Sequence, residues 1–397
     1  MTSESDHTPP ERTGPRPIIA ALPAMTPGER RIATSPESVA KLVGAGWDCV
    51  LPIGIGEAAR FSDAMFVEAG ARVAGDAESA IVGADAVLCI EPPRVEQMRS
   101  LKRGSLLVGL LAPFTNSALI NACAEAGVSA IAMELVPRST IAQPMDALSS
   151  QASLAGYAAA LRAGDRLPRV LPMMSTPAGT IPPARVLVVG TGVAGLQAIA
   201  TTVRLGARVS AYDVRAAAKE QVESLGARFV SIDMAESGQT ADGYAKAQTD
   251  EQLAAQRQAL TEVCAQSDIV ITTAQIFGRP APTIIDRAMI AGMKPGSVIV
   301  DAAIATGGNV EGAVAGDETT IDGVTLIADP DLASSVATEA SRMYASNVVA
   351  LLAHIRPDGP SAELDPDSNE ILASVLVTHR GTVRDTAATS AHDGAAS

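Results

Sequence analysis

Histidine is nearly missing from this chain. Only His7, His354, His379 and His392 occur in 397 residues, and none lies between residues 8 and 353. A dehydrogenase acting on an alcohol or an amino acid moves a proton along with the hydride, and usually sets a His, Lys or Tyr acid–base beside its substrate. The middle of this chain is poorly supplied for that chemistry. Aromatic residues are also scarce, at 3%, so its cores must be built from Ala, Val, Leu and Ile. Cys49, Cys89, Cys123 and Cys264 are widely spaced, with no C-x-x-C pair. That excludes a disulfide framework and a thiolate metal site; no metal is expected, and the cysteines read as buried small hydrophobes in a reducing compartment. Basic charge is in deficit, with 30 Lys and Arg against 44 Asp and Glu, which argues against nucleic acid or an anionic membrane as the main partner. No uninterrupted apolar run is long enough to span a bilayer. Val186–Val203 comes nearest, but three glycines break it, and it reads as a buried strand and helix. The first sixteen residues lack the apolar core of a signal peptide and are expected to form a disordered tail.

What the chain does have is the stretch R-V-L-V-V-G-T-G-V-A-G-L-Q at Arg185–Gln197, a strand, a glycine turn and a helix start in succession. Asp213 follows at the end of the next apolar run, eighteen residues beyond Gly195. This is the dinucleotide-binding fingerprint in its proper context. Gly190 permits the tight turn, Gly192 lets the backbone approach a pyrophosphate, and Gly195 lets the helix pack on the strand. The N–H groups of Val193 and Ala194 open that helix, where its dipole favours phosphate. Asp213 is suited to accept hydrogen bonds from the ribose hydroxyls and to repel a 2′-phosphate, so NAD(H) is expected over NADP(H). Beside it on the same turn come Val214 and Arg215, the latter able to serve a 2′-phosphate.

Short apolar runs alternate with helical patterns throughout, so the expected fold class is α/β, with two Rossmann-like doubly wound parallel sheets and a cleft between them. Strands are predicted near Ile18–Leu22, Asp48–Pro52, Ala86–Ile90, Ser105–Gly109 and Ser129–Ala132, with helices at Pro36–Val43, Asp63–Ala69 and Asn116–Ala126. A proline-free amphipathic stretch from about Asp146 to Ala163 is suited to bridging two domains. The second sheet begins at Val186 and continues near Arg208–Tyr212, Arg228–Ser231, Asp268–Thr272, Ser297–Asp301 and Thr325–Ala328. A final helix is placed at Val336–Leu352, and Pro357–Asp367 reads as a loop. The domains are accordingly drawn as residues 17–146 completed by 337–385, and residues 147–336 for the nucleotide, with tails at 1–16 and 386–397.

The segment Met133–Tyr157, M-E-L-V-P-R-S-T-I-A-Q-P-M-D-A-L-S-S-Q-A-S-L-A-G-Y, closely resembles the nicotinamide-site loop and linking helix of the NAD(H)-binding subunit of proton-translocating NAD(P) transhydrogenases. The likeness extends over nearly the whole chain, through P-G-E-R-R-I-A-T-S-P-E at Pro27–Glu37, the fingerprint region Ala178–Thr201, Asp213–Ala227, G-R-P-A-P at Gly278–Pro282 and M-K-P-G-S-V at Met293–Val298. The resemblance implies that Arg138, Gln143, Asp146 and Ser149 surround the nicotinamide and its ribose, and that Gly243-Tyr244-Ala245 is the tip of a mobile loop closing over the nucleotide. It implies a homodimer on the cytoplasmic face of the membrane, attached through partners: a membrane subunit that moves protons and a subunit that holds NADP(H). The chain departs from the family at Ile141, where a second arginine is usual, at Pro144, at Ala305, and at Asp331-Leu332-Ala333 in place of N-x-P.

The alanine dehydrogenases share this fold and are the sharpest rival. Where that family uses a lysine, a histidine and an aspartate beside the keto acid, this chain has Ile90, Ala112 and Ala305, and only the arginine, Arg31, is retained. Hydride transfer from one nicotinamide to another needs no such base; it needs two rings held in near-attack geometry with water excluded. The missing groups favour nucleotide-to-nucleotide transfer. Arg31 has a plainer reading as a surface charge at a helix start. A non-catalytic NAD-binding redox sensor is a third alternative.

Overall fold

The computed structural model describes residues 15–230 and 250–386. Strands β1 (Ile18–Ala21), β2 (Asp48–Pro52), β3 (Arg72–Ala74), β4 (Ala86–Leu88), β5 (Leu106–Gly109) and β6 (Ser129–Ala132) form one parallel sheet in the order β3-β2-β1-β4-β5-β6. Helices α1 (Pro36–Gly44), α2 (Asp63–Glu68), α3 (Ala77–Ile81) and α4 (Ser117–Ala126) lie between the strands. Local chemistry fixes their starts: Ser35 and Ser38 form a capping box ahead of α1, whose first residue is Pro36, and Asn116 caps α4. Strands β4, β5 and β6 are buried at every position, as expected of a parallel sheet covered on both faces.

The long helix α5 (Ala147–Arg166) leads to an exposed hairpin, β7 (Met174–Thr176) and β8 (Gly179–Ile181), and then to the second sheet. Strands β9 (Arg185–Val189), β10 (Arg208–Tyr212), β11 (Arg228–Phe229), β12 (Ile269–Thr272), β13 (Val298–Asp301), β14 (Glu318–Ile321) and β15 (Val324–Ile327) run in the order β11-β10-β9-β12-β13-β15-β14. Helices α6 (Val193–Arg204), α7 (Ala218–Ser224), α8 (Asp250–Gln266) and α9 (Arg287–Ala291) accompany them. Both sheets are doubly wound, with switch points between β1 and β4 and between β9 and β12. Edge strand β14 is antiparallel to β15, an addition to the parallel pattern expected from the sequence.

Helix α10 (Ala337–Ile355) returns to the first sheet. Its Tyr344, Val348 and Leu351 share one core with Val87 and Leu107, and Tyr344 donates to the carbonyl of Cys89 at 2.8 Å. Contrary to expectation it is not the last helix: α11 (Glu370–Val375) follows, and its Ile371 and Leu372 join the same core. The second sheet has a core on each face. Ala159 and Ala163 of α5 with Ala198 and Ile199 of α6 cover Val188 and Ile271, and Met289 and Ile290 of α9 cover Leu187 and Val270. Alanine-lined helix faces allow the close layers that so few aromatics require. All four cysteines are buried and unpaired, and burial pushes the thiols of Cys49, Cys123 and Cys264 up to about 12. Among the described residues no helix is long and apolar enough to cross a membrane.

Candidate functional site

The turn after β9 is shaped by three glycines. Gly190 has φ +89, and a Cβ there would meet the backbone of Ala274 at 2.9 Å. A Cβ on Gly195 would lie 1.9 Å from the Gly190 carbonyl oxygen, so α6 can approach its own strand only without a side chain. Gly192 faces open space and caps α6 with no side-chain hydrogen bond, which leaves the helix's first N–H groups free for an outside acceptor. Val193 and Gly192 are exposed at this opening and Ala194 is half-buried. An uncapped helix start over open space fits a pyrophosphate.

Asp213 stands at the end of β10, its side chain only 7% exposed. Thr191 donates to its Oδ2 from both the backbone N–H and Oγ1, each at 2.8 Å. Arg215 donates to Oδ1 from its backbone N–H at 2.8 Å and from Nε at 3.0 Å, and to Oδ2 from Nη2 at 3.0 Å. Burial works against the charged carboxylate, but these donors outweigh it and hold its pKa below the usual value. Val214 is exposed between the two partners.

Loops after β12 and β13 brace the turn. Thr273 Oγ1 donates to the Gly190 carbonyl at 2.9 Å. Asn309 accepts from the Ala274 N–H at 2.9 Å and donates to the Ala274 and Pro282 carbonyls, both at 2.8 Å. Asp301, fully buried at the end of β13, accepts from the N–H groups of Ala303, Asn309 and Val310. Burial raises its pKa above the ordinary range. Sequence reasoning missed Thr191, Asp301 and Asn309 as organisers; the only signals were the glycines beside Thr191 and Asn309 and the place of Asp301 at the end of an apolar run.

The loop carrying Arg138 leaves β6 and runs to α5. The side chains of Arg138 and Gln143 are exposed on it and make no hydrogen bond or ion pair with other described residues, while the Gln143 carbonyl accepts from the Asp146 N–H at 3.2 Å. Buried Ala142 and Met145 anchor the loop, and Asn347 of α10 donates to the Pro144 carbonyl at 2.7 Å. Asp146 caps α5, accepting from the Ser149 N–H at 2.9 Å and from Ser149 Oγ at 2.6 Å. The four residues are thus on one connected segment that runs from the loop into the first turn of α5, two of them locked to each other. Ile141 is exposed there. Gly243, Tyr244 and Ala245 lie outside the described residues.

One reading is corrected. Arg31 is not a surface charge at a helix start, because its side chain is 13% exposed and held on several sides. It pairs with the buried Glu29 at 2.5 Å and donates to Gln151 of α5 at 2.9 Å. Ser334 accepts from the Arg30 N–H at 2.5 Å and donates to Glu29 at 2.9 Å, so this cluster joins the ends of both sheets. Burial raises the Glu29 pKa, yet the Arg31 hydrogen bonds bring it below the usual value. Asp331, close to Gly28, is shifted the other way, by burial and then by Glu29. Of the three positions that the sequence reading sets against the rival family's reactive groups, Ile90 is buried, Ala305 is exposed, and Ala112 has φ +52, held there by Glu134, which accepts from the N–H groups of Leu111 and Ala112 at 2.9 and 2.6 Å. Among the described residues no group of His, Cys, Asp and Glu is placed to hold a metal.

Known proteins resemble the chain along most of its length. Family models described as the N-terminal and C-terminal domains of alanine dehydrogenase/PNT match residues 25–155 and 159–386. The chain is 42% identical to an NAD(P) transhydrogenase alpha-subunit chain of Rhodospirillum rubrum over 373 residues, covering 92% of this chain and 97% of that one. A solved transhydrogenase structure from Sinorhizobium meliloti superposes with a TM-score of 0.80 at 42% identity, covering 92% of this chain and 98% of that chain. Alanine dehydrogenase of Halomonas elongata is more distant, 33% identical over 294 residues, or 71% of each chain.

Proposed function

Because the chain belongs to the alanine dehydrogenase/PNT family, whose members are oxidoreductases with a nicotinamide-nucleotide cofactor and a Rossmann fold, we propose that this NAD(P) transhydrogenase component is the one that binds NAD(H). It passes the hydride of NADH to NADP+ held on a separate subunit, while membrane subunits couple the transfer to proton movement. It works as a homodimer on the cytoplasmic face of the membrane, joined to it through those partners. The observation that carries the reading is the open, uncapped start of α6 set directly beside the buried Asp213 carboxylate.

Bound NADH supplies the hydride; the chain's own residues bind and orient it. The first N–H groups of α6, including those of Val193 and Ala194, take the pyrophosphate. Asp213 accepts from the adenosine ribose and disfavours a 2′-phosphate. Arg138 and Gln143, exposed on the loop beyond β6, and the Asp146–Ser149 pair at the start of α5 orient the nicotinamide end. Gly243, Tyr244 and Ala245 are further nucleotide contacts on the strength of the family resemblance alone. No acid–base group is needed, in keeping with Ile90, Ala112 and Ala305. Alanine and NAD+ should accordingly give no NADH.

Calorimetric titration tests the binding claim. A hydrogen bond to a charged acceptor contributes about 1.5–3 kcal/mol, so Asp213→Ala should weaken NADH about ten- to a hundredfold. Equal affinity of the unaltered chain for NADH and NADPH would overturn the assignment.

A further inference from the structure

We propose that Arg215 sets how sharply this site separates NAD(H) from NADP(H), by occupying the Asp213 carboxylate until a ribose displaces it. The inference rests on the nucleotide reading above and adds the residue that tunes it. An ionised carboxylate offers roughly four acceptor positions. Asp213 already receives five donors: the N–H and Oγ1 of Thr191, and the N–H, Nε and Nη2 of Arg215. Nothing remains for two ribose hydroxyls.

Some of those donors must leave, and they are not equally free to do so. The Thr191 and Arg215 N–H groups belong to the backbone of the turns after β9 and β10, and Thr191 is buried. Of the side-chain donors, Thr191 Oγ1 is buried with its residue, whereas the Arg215 guanidinium can withdraw into solvent without moving the chain. Its side chain is 36% exposed, and the neighbouring Ala216 and Ala217 are small and exposed, so it can turn outward.

The exchange has opposite consequences for the two nucleotides. For NADH, breaking the ion pair is a cost subtracted from ribose binding. For NADPH, the guanidinium can turn from the carboxylate to the incoming 2′-phosphate, for which it is a good two-point ligand, and so keeps a positive charge between the two anions. One side chain therefore weakens the favoured nucleotide and shelters the disfavoured one.

The test is calorimetric titration of the full chain, unaltered and as Arg215→Ala, with NADH and with NADPH. An ion pair this exposed has a modest energy, so Arg215→Ala should bind NADH about two- to fivefold more tightly. NADPH should weaken by a similar factor, and the ratio of the two dissociation constants should rise by about tenfold. Arg215→Lys, which keeps the charge and loses the two-point grip, should fall between. A ratio that stays constant or falls in Arg215→Ala overturns the proposal, whichever nucleotide moved. If the unaltered chain binds neither nucleotide, the reading beneath it fails instead; a chain that binds NADH with an unmoved ratio contradicts the role of Arg215 alone. Thermal melts of both variants confirm that the fold is intact.

Discussion

Phe114 meets Phe277 edge to face, with ring centroids 5.1 Å apart and planes at 84°. One ring lies beyond β5 of the first sheet and the other beyond β12 of the second, so the pair ties the two lobes together at the ends of their strands. Gly278 sits under the Phe114 ring with φ +70, where a Cβ would come within 3.1 Å of it. Phe277→Ala should therefore loosen the lobes more than it destabilises them. Phe277 is 40% exposed, which places the loss near the low end for an aromatic pair, about 0.5 kcal/mol. Small-angle scattering of the nucleotide-free chain should show a larger radius of gyration in the variant. An unchanged curve would mean that the Glu29–Arg31–Ser334 cluster holds the lobes by itself.

Gly156 makes the second prediction. It is buried on α5, where a Cβ would fall 2.0 Å from the Ala194 carbonyl oxygen in the first turn of α6. Backbone cannot yield as a flexible side chain can. Gly156→Ala must push α5 away from α6 or shift the turn that receives the pyrophosphate, and overpacking of this kind costs about 1–3 kcal/mol. The melting temperature should drop and NADH should bind about tenfold more weakly, as read by a thermal melt and by calorimetry. Full NADH affinity in this variant would show that α5 does not set the position of the turn.

A third expectation concerns pH. His379 Nδ1 lies 3.0 Å from Ser129 Oγ, and burial, reinforced by Arg380 and Arg384, holds the imidazole pKa below the usual value of 6.5. A histidine depressed in this way binds fewer protons folded than unfolded, so stability rises with pH between the folded value and 6.5. Acidification through that window removes it. His379→Gln should lose less melting temperature than the unaltered chain on going from neutral pH to about pH 5, below the free imidazole range. Identical losses would contradict the assignment.

The residues explain which parts of this architecture were legible beforehand. Strands β9, β12 and β13 announce themselves because each carries a run of Val, Leu or Ile buried on both faces. The glycine turn is local, so its spacing carries the geometry. Strands β3 and β14 were missed because they are short and largely exposed, with no apolar run to mark them. The hairpin of β7 and β8 is exposed at every position. The burial of Arg31 depends on Gln151 and Ser334, far away in the chain, and no local pattern reports such a partner. The same holds for Glu134, whose carboxylate shapes the turn at Ala112 from the next strand's end. The saturation of Asp213 was legible only partially: the acid and Arg215 stand in the sequence, but their pairing is three-dimensional.

The most direct measurement is single-turnover hydride transfer, followed by stopped flow, from NADH on this chain to NADP+ on a reconstituted NADP(H)-binding subunit. The unaltered chain should transfer hydride without any third substrate. Gln143→Asn and Asp146→Asn should leave NADH affinity within a few-fold, since Asn still caps α5 and the adenosine half is held elsewhere. Orientation matters most in the transition state, so both should slow transfer by about tenfold or more, equivalent to about 1.4 kcal/mol. Transfer by both variants at the unaltered rate would make the loop a mere connection between lobes. No transfer by the unaltered chain, despite tight NADH binding, would contradict the account as a whole.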